Sequence, residues 1–236
     1  MLLIAHRGFS RKYPENTLLS FKKALEYGAK AIELDIRITS DNEFVIIHDV
    51  ATKRVSSVNR IIAKSSAASI LQTDVSYPAK FGNAFKGEKI ILLDKFISEF
   101  SGKLLLITEL KSSFSKEQLM KLSVLLRAFD LKDVIISSKK LKNLFALREI
   151  GFGGNIAYIA DKHDINWGAL DKLKIHSIHI NKSVVAPPMI SKIHKKGWFV
   201  YVWTADTLSE IRELNKLGVD GVFSNDIEIA LKHEQE

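Results

Sequence analysis

From residue 104 onward the chain repeats one pattern, a short apolar run followed by an amphipathic stretch long enough to be a helix. The runs are 104–109, 133–138, 155–160, 177–181, 199–204 and 220–224, and the helical stretches are 115–129, 140–150, 166–173, 186–196, 207–217 and 226–233. Apolar runs that do not alternate with polar residues suit strands covered on both faces, which is the signature of a parallel sheet. Residues 2–5 and 31–35 extend the series toward the N-terminus, with helices expected at 18–27 and 92–100. Eight strand–helix units in 236 residues match an α/β (β/α)8 TIM barrel. The competing doubly wound sheet usually opens on a glycine-rich turn, and HRGFSRKYPENT contains no GxGxxG. One domain, 1–236, is therefore expected. Residues 50–89, weakly periodic and rich in Ser, Ala and Lys, form an insertion that borders the barrel mouth, with a helical turn near 65–71.

A barrel gathers the residues at the C-terminal ends of its strands around one mouth. The second strand carries Glu33 and Asp35, two apart and so on one face. The chain then turns over at Ser40–Asn42 and returns through 44–48 to His48. A turn centred between Asp41 and Asn42 would set His48 opposite Asp35, with Cβ atoms roughly 4.5–5.5 Å apart. To this hairpin the other strand ends add His6, Arg7, Glu109, Lys111, Asn181, Trp203 and Asn225.

Taken singly, each has a plain structural reading. His6 suits a buried, satisfied histidine, Glu109 and Lys111 a same-face ion pair, and Trp203 a core or rim residue. Together they are the parts needed to handle a phosphodiester. Three carboxylates without thiolates favour a hard divalent cation, Mg²⁺ or Ca²⁺. Two histidines suit proton transfer near neutral pH. Arg7 and Lys111 can hold phosphoryl oxygens. His163, His176, His179, His194 and His233 show no such spacing and are read as structural or surface groups.

The motif set His6-Arg7, Pro14-Glu15-Asn16-Thr17, Glu33-Leu34-Asp35, His48-Asp49, Glu109-Leu110-Lys111, Trp203-Thr204 and Gly218-Val219-Asp220-Gly221 resembles the glycerophosphodiester phosphodiesterase family over nearly the whole chain. The resemblance implies a barrel that hydrolyses glycerophosphodiesters to glycerol 3-phosphate and an alcohol. It also implies His6 and His48 as the catalytic acid–base pair and Glu33, Asp35 and Glu109 as metal ligands. Arg7 and Lys111 would contact phosphate, and Trp203 would lie against the glycerol. The chain departs from the family pattern in three places. Only Arg54 survives of the Arg-Thr-Thr turn after His48-Asp49, Leu92-Leu93-Asp94-Lys95 replaces Pro-Thr-Leu-Glu-Glu, and Ser224-Asn225-Asp226-Ile227 stands where Thr-Asp-x-Pro is usual.

There is no cysteine, which excludes disulfides and thiolate zinc sites. No charged n-region with a long apolar core opens the chain, and no run approaches a membrane span, so a soluble cytoplasmic protein is expected. The net charge of +8 favours anionic partners, but the lysines are spread over every helix rather than clustered. A small soluble phosphodiester is thus expected rather than nucleic acid. Two alternatives share these residues. One is a phospholipase D acting on lysophospholipid or sphingomyelin, and the other is a barrel that binds phosphorylated ligands without turnover.

Overall fold

In a computed structural model that describes residues 1–162 and 164–232, the apolar runs are strands of one sheet. They are β1 (Leu2–His6), β2 (Ala31–Ile38), β3 (Phe44–Ile46), β4 (Leu105–Leu110), β5 (Val134–Ser138), β6 (Asn155–Ala160), β7 (Ser177–Asn181), β8 (Phe199–Trp203) and β9 (Gly221–Ser224). Eight of them pair in parallel, and β1 bonds both β9 and β2, which closes the ring into a TIM barrel. β3 lies outside it, antiparallel to β2. The helices follow their strands within a few residues of the expected spans, for example Leu18–Glu26, Lys116–Leu126 and Leu208–Lys216. Each of these three begins on a hydroxyl that accepts from the third helical N–H, at Thr17, Ser115 and Thr207, which satisfies a donor the helix cannot. Among the described residues no helix is long and apolar enough to cross a membrane. His163 and His233 lie outside the described residues.

The period of two along each strand sorts the side chains into two sets. Ile32, Leu34 and Ile36 of β2 and Leu106 and Leu110 of β4 point outward into the layer beneath the helices. Ile4, Ala31, Ile107, Ile135, Ala157, Tyr201 and Phe223 fill the barrel interior. Continued toward the C-terminal ends, the inward file runs Ile4 to His6, Ala31 to Glu33 and Asp35, and Ile107 to Glu109. The files that plug the barrel therefore also deliver its polar mouth.

His179 belongs to the interior: it is 2% exposed, stacks on Tyr201 at 5.3 Å and meets the Ser177 hydroxyl at 3.1 Å. Burial, with a smaller push from His176, lowers its pKa to about 3. Below its ordinary value near 6.5 the unfolded chain takes a proton that the folded one refuses, so this contribution is lost as pH falls from 6.5 toward 3. At pH 4.5 the loss is roughly 3 kcal/mol. His179→Phe is accordingly expected to close its stability gap to the native protein by about that amount between pH 7 and 4.5, as read by chemical denaturation.

The hairpin register differs from the expected one. Ile36, Arg37 and Ile38 pair with Ile46, Val45 and Phe44, so Asp35 stands level with Ile47, whose N–H it accepts at 2.9 Å, and not with His48. The cause is the turn. Thr39 bonds both the N–H and the carbonyl of Glu43, and Asn42 takes the left-handed conformation at φ 62°. That makes a three-residue loop in place of a two-residue one. His48 enters the mouth because the chain leaves the ladder after Ile46.

The stretch 50–89 holds 3₁₀ turns at Thr52–Arg54 and Ile62–Lys64 and short helices at Ala67–Leu71 and Pro78–Phe81. Its buried Val55, Ile62, Ile70 and Val75 join Ile90 against Val45 and Ile47 of the hairpin arm.

Gly8 is the tightest point in the first loop. Its φ is +80°, and a Cβ there would sit 2.5 Å from the Ser20 hydroxyl and 2.7 Å from the Ser20 backbone. Gly8→Ala is expected to cost about 3 kcal/mol or more through strain and overpacking, measurable by urea unfolding.

Candidate active site

A cavity of about 220 Å³ opens at the C-terminal ends of the strands, lined among others by His6, Arg7, Glu33, His48, Glu109, Lys111 and Trp203. Asp35 is fully buried beside it. Carboxylate oxygens of Glu33, Asp35 and Glu109 lie within 4.8 Å of one another. The structure thus brings together all eight residues singled out for roles. Asn181 is turned away, its side chain accepting from the N–H and hydroxyl of Ser183.

The charges explain how three acids share so small a space. Arg7 Nε is 3.1 Å and Lys111 Nζ 3.6 Å from Asp35. Against the opposing effect of burial, these cations hold the Asp35 carboxyl well below the usual carboxylate range. Burial and then the Asp35 charge push Glu33 well up, and the same two causes raise Glu109, which Lys111 meets at 2.8 Å. Asp35 Oδ1 is buried with no hydrogen-bond partner, while Asn16 Nδ2 occupies Oδ2 at 2.8 Å. An all-oxygen donor set with an orphaned carboxylate oxygen and two acids raised by burial and by the Asp35 charge fits a hard divalent cation.

The two histidines are held differently. His6 Nδ1 faces Asn225 Oδ1 at 2.8 Å, and its Nε2 lies 3.9 Å from Glu33. Burial and then the Arg7 charge lower its pKa to about 4. His48 Nδ1 faces Asp49 Oδ1 at 2.6 Å. Burial, assisted by Arg7 and Lys111 and opposed by Asp35 and Asp49, lowers its pKa too. Arg37 fixes the ring's backbone by donating twice to the His48 carbonyl, at 2.9 and 2.7 Å.

Several contributors to the site carry no role in the sequence analysis. Glu15 accepts from Arg7 at 2.9 Å and takes both Nη groups of Arg54 at 2.7 and 2.8 Å, while Arg54 Nε reaches Asp49 at 2.6 Å. A continuous run of paired charges therefore joins Asp35, Arg7, Glu15, Arg54, Asp49 and His48. Lys139 also lines the pocket, 5.2 Å from the Trp203 ring, as do Ser137 and His179. Lys139 directly follows a strand, and His179 shares a file with Ser177 and Asn181, so position alone could have flagged both.

Comparison with known proteins bears on what this pocket is. A profile of the glycerophosphoryl diester phosphodiesterase family matches residues 6–229. The chain is 29% identical over 235 residues to a glycerophosphodiester phosphodiesterase of Caldanaerobacter subterraneus subsp. tengcongensis, covering 96% of this chain and 95% of the relative. It superposes with a TM-score of 0.92 and 26% identity on a phosphodiesterase of Oleispira antarctica in complex with the product sn-glycerol-3-phosphate, covering 100% of this chain and 97% of that one. A glycerophosphodiester phosphodiesterase from Thermotoga maritima superposes with a TM-score of 0.78 at 25% identity, covering 98% and 97%. The profile match starts at the first pocket residue, His6, and runs into the final helix, so it takes in the whole strand-end constellation: the chain belongs to the glycerophosphoryl diester phosphodiesterase family and is a phosphoric diester hydrolase.

Proposed function

We propose that this hydrolase is a metal-dependent enzyme cleaving small, deacylated glycerophosphodiesters to sn-glycerol 3-phosphate and an alcohol, with His6 and His48 moving the protons. The observation that carries the reading is the meeting of the Glu33–Asp35–Glu109 oxygens with both imidazoles around one cavity of about 220 Å³. That space suits a glycerol phosphate and is small beside the several hundred Å³ typical of larger ligands.

Glu33, Asp35 and Glu109 would hold Mg²⁺ or Ca²⁺. What such an ion supplies when bound is neutralisation of charge on the phosphoryl oxygens. Arg7 and Lys111 bind the remaining non-bridging oxygens by charge-assisted hydrogen bonds, and Trp203 offers a flat apolar face to the glycerol. His6 acts as the base on the attacking hydroxyl, since its Nδ1 is engaged by Asn225 and its lowered pKa keeps the ring neutral. His48 delivers a proton to the leaving oxygen; burial lowers its pKa as well, and the Asp35 and Asp49 carboxylates are the groups that oppose that fall. The barrel and the 50–89 segment act as one catalytic unit, because Arg54 on that segment ties Glu15 and Asp49 together.

Purified protein supplied with Mg²⁺ or Ca²⁺ is expected to release glycerol 3-phosphate from glycerophosphocholine or glycerophosphoethanolamine, and to stop when chelator is added. Absence of release from any headgroup, with protein folded and metal present, would refute the proposal. The phospholipase D reading draws on one observation, the exposed Val50, Val58 and Ile61 on the segment that follows His48. Faster turnover of lysophospholipid or sphingomyelin than of the deacylated diesters would favour it.

A further inference from the structure

We infer that Asp206, which lies behind Asn225 and does not line the pocket, is a positioning residue that determines which ring nitrogen of His6 is left bare. The inference rests on His6 serving as the base. Asp206 receives two hydrogen bonds from Asn225, from its backbone N–H to Oδ1 at 2.7 Å and from Nδ2 to Oδ2 at 2.7 Å. A carboxylate only accepts, so both contacts require donors. Were the amide turned over, its oxygen would face a carboxylate oxygen at that distance with no hydrogen between them. The Asn225 oxygen is thereby directed at His6 Nδ1, 2.8 Å away. An amide oxygen is likewise an acceptor only, so Nδ1 carries the hydrogen and Nε2, on the side toward Glu33, keeps its lone pair.

The other neighbours leave this selection to Asp206. The Ser10 hydroxyl stands 2.9 Å from the amide oxygen and 2.8 Å from the His6 carbonyl, and a hydroxyl serves an amide in either orientation. Asp206 is itself anchored, its N–H donating to Glu210 at 2.9 Å at the head of the Leu208–Lys216 helix, with the Ser224 hydroxyl at 3.3 Å from Oδ1. The arrangement also makes sense of Asn225, which stands at the Asp of the Thr-Asp-x-Pro pattern. A carboxylate at 225 would accept from Nδ1 whichever way it turned. An amide has a right and a wrong end, and a second residue must choose between them.

The decisive experiment is a swap. Asp206→Asn leaves an amide that either donates or accepts, so Asn225 is free to turn its NH₂ to His6 and drive the proton to Nε2. We expect kcat to fall about 10²-fold, the scale of a lost general base, with KM changed little. Asp206→Asn combined with Asn225→Asp restores a pure acceptor beside Nδ1 and is expected to recover most of that kcat, which a residue with a merely structural role would not do. A single variant within about twofold of native, or a double variant no better than the single, overturns the inference. Native activity that requires His6 while ignoring Asp206 would refute only this inference, whereas native protein without activity would refute the proposed function. Should the variants not fold, the ¹⁵N shifts of His6 in the native protein decide. Hydrogen on Nδ1 supports the assignment, and hydrogen on Nε2 overturns it.

Discussion

Alanine at His6 or at His48 is expected to lower kcat by about 10²–10⁴-fold, the range for losing one proton-transfer group. Neither loss should unfold the protein. The His48 ring is partly exposed at the pocket edge, and its closest polar partner, Asp49, keeps the Arg54 contact. The His6 ring lines the cavity, and its aromatic partner among the described residues is Phe223, edge-on at 6.4 Å. On the proposed mechanism the two rings act on one bond in one cycle, so their effects are not expected to multiply. The double variant should be little worse than the poorer single one. The check is kcat and KM on glycerophosphocholine at saturating metal, with urea unfolding run in parallel. Activity unchanged in either single variant would show that the imidazoles are bystanders.

Glu33→Gln is expected to move stability and activity in opposite directions. Burial and the neighbouring Asp35 charge raise the Glu33 pKa. A carboxyl raised in the folded state contributes fully below its unfolded value near 4.5, and that contribution is lost as pH rises through the folded value. In chelated protein near neutral pH, removing the charge should therefore raise Tm by a few degrees, each kcal/mol being worth about 2–4 °C at this chain length. The amide oxygen can still accept from the Arg7 N–H, which lies 3.1 Å from Glu33 Oε2. Native protein should gain Tm on adding Mg²⁺ or Ca²⁺, by about 2.7 kcal/mol of stability at a hundredfold excess over Kd, and the variant should not. Turnover should drop by roughly 10² or more, since charge neutralisation at a phosphoryl group is worth several kcal/mol. A variant that keeps the full metal-induced shift would remove Glu33 from the ligand set.

Much of this was legible in the sequence because the barrel couples pattern to place. Strands buried on both faces read as unbroken apolar runs, and a residue at the end of such a run points into the mouth whatever its distance along the chain. That is why Glu109 could be joined to Glu33 and Asp35 without a rule linking their numbers. What stayed hidden depends on side chains meeting by chance of tertiary approach. Glu15 and Arg54 are 39 residues apart on irregular segments, and no periodicity announces their pairing. Asn16 is next to Thr17, which caps the following helix, and only the folded loop shows that the Asn16 amide serves Asp35. The hairpin register turned on a Thr39 hydroxyl and a left-handed Asn42, details that shift pairing by one residue without altering the hydrophobic pattern. His179 looked like any isolated histidine until the strand phase placed it inside the barrel.

The most direct test of the account is diffraction from crystals grown with Ca²⁺ and glycerol 3-phosphate. The account predicts one ion bound by Glu33, Asp35 and Glu109 at calcium–oxygen distances of about 2.3–2.6 Å, with the phosphate between the Nε2 atoms of His6 and His48 and touching Arg7 and Lys111. A phosphate bound away from both imidazoles, or an ion that ignores the three carboxylates, would contradict it.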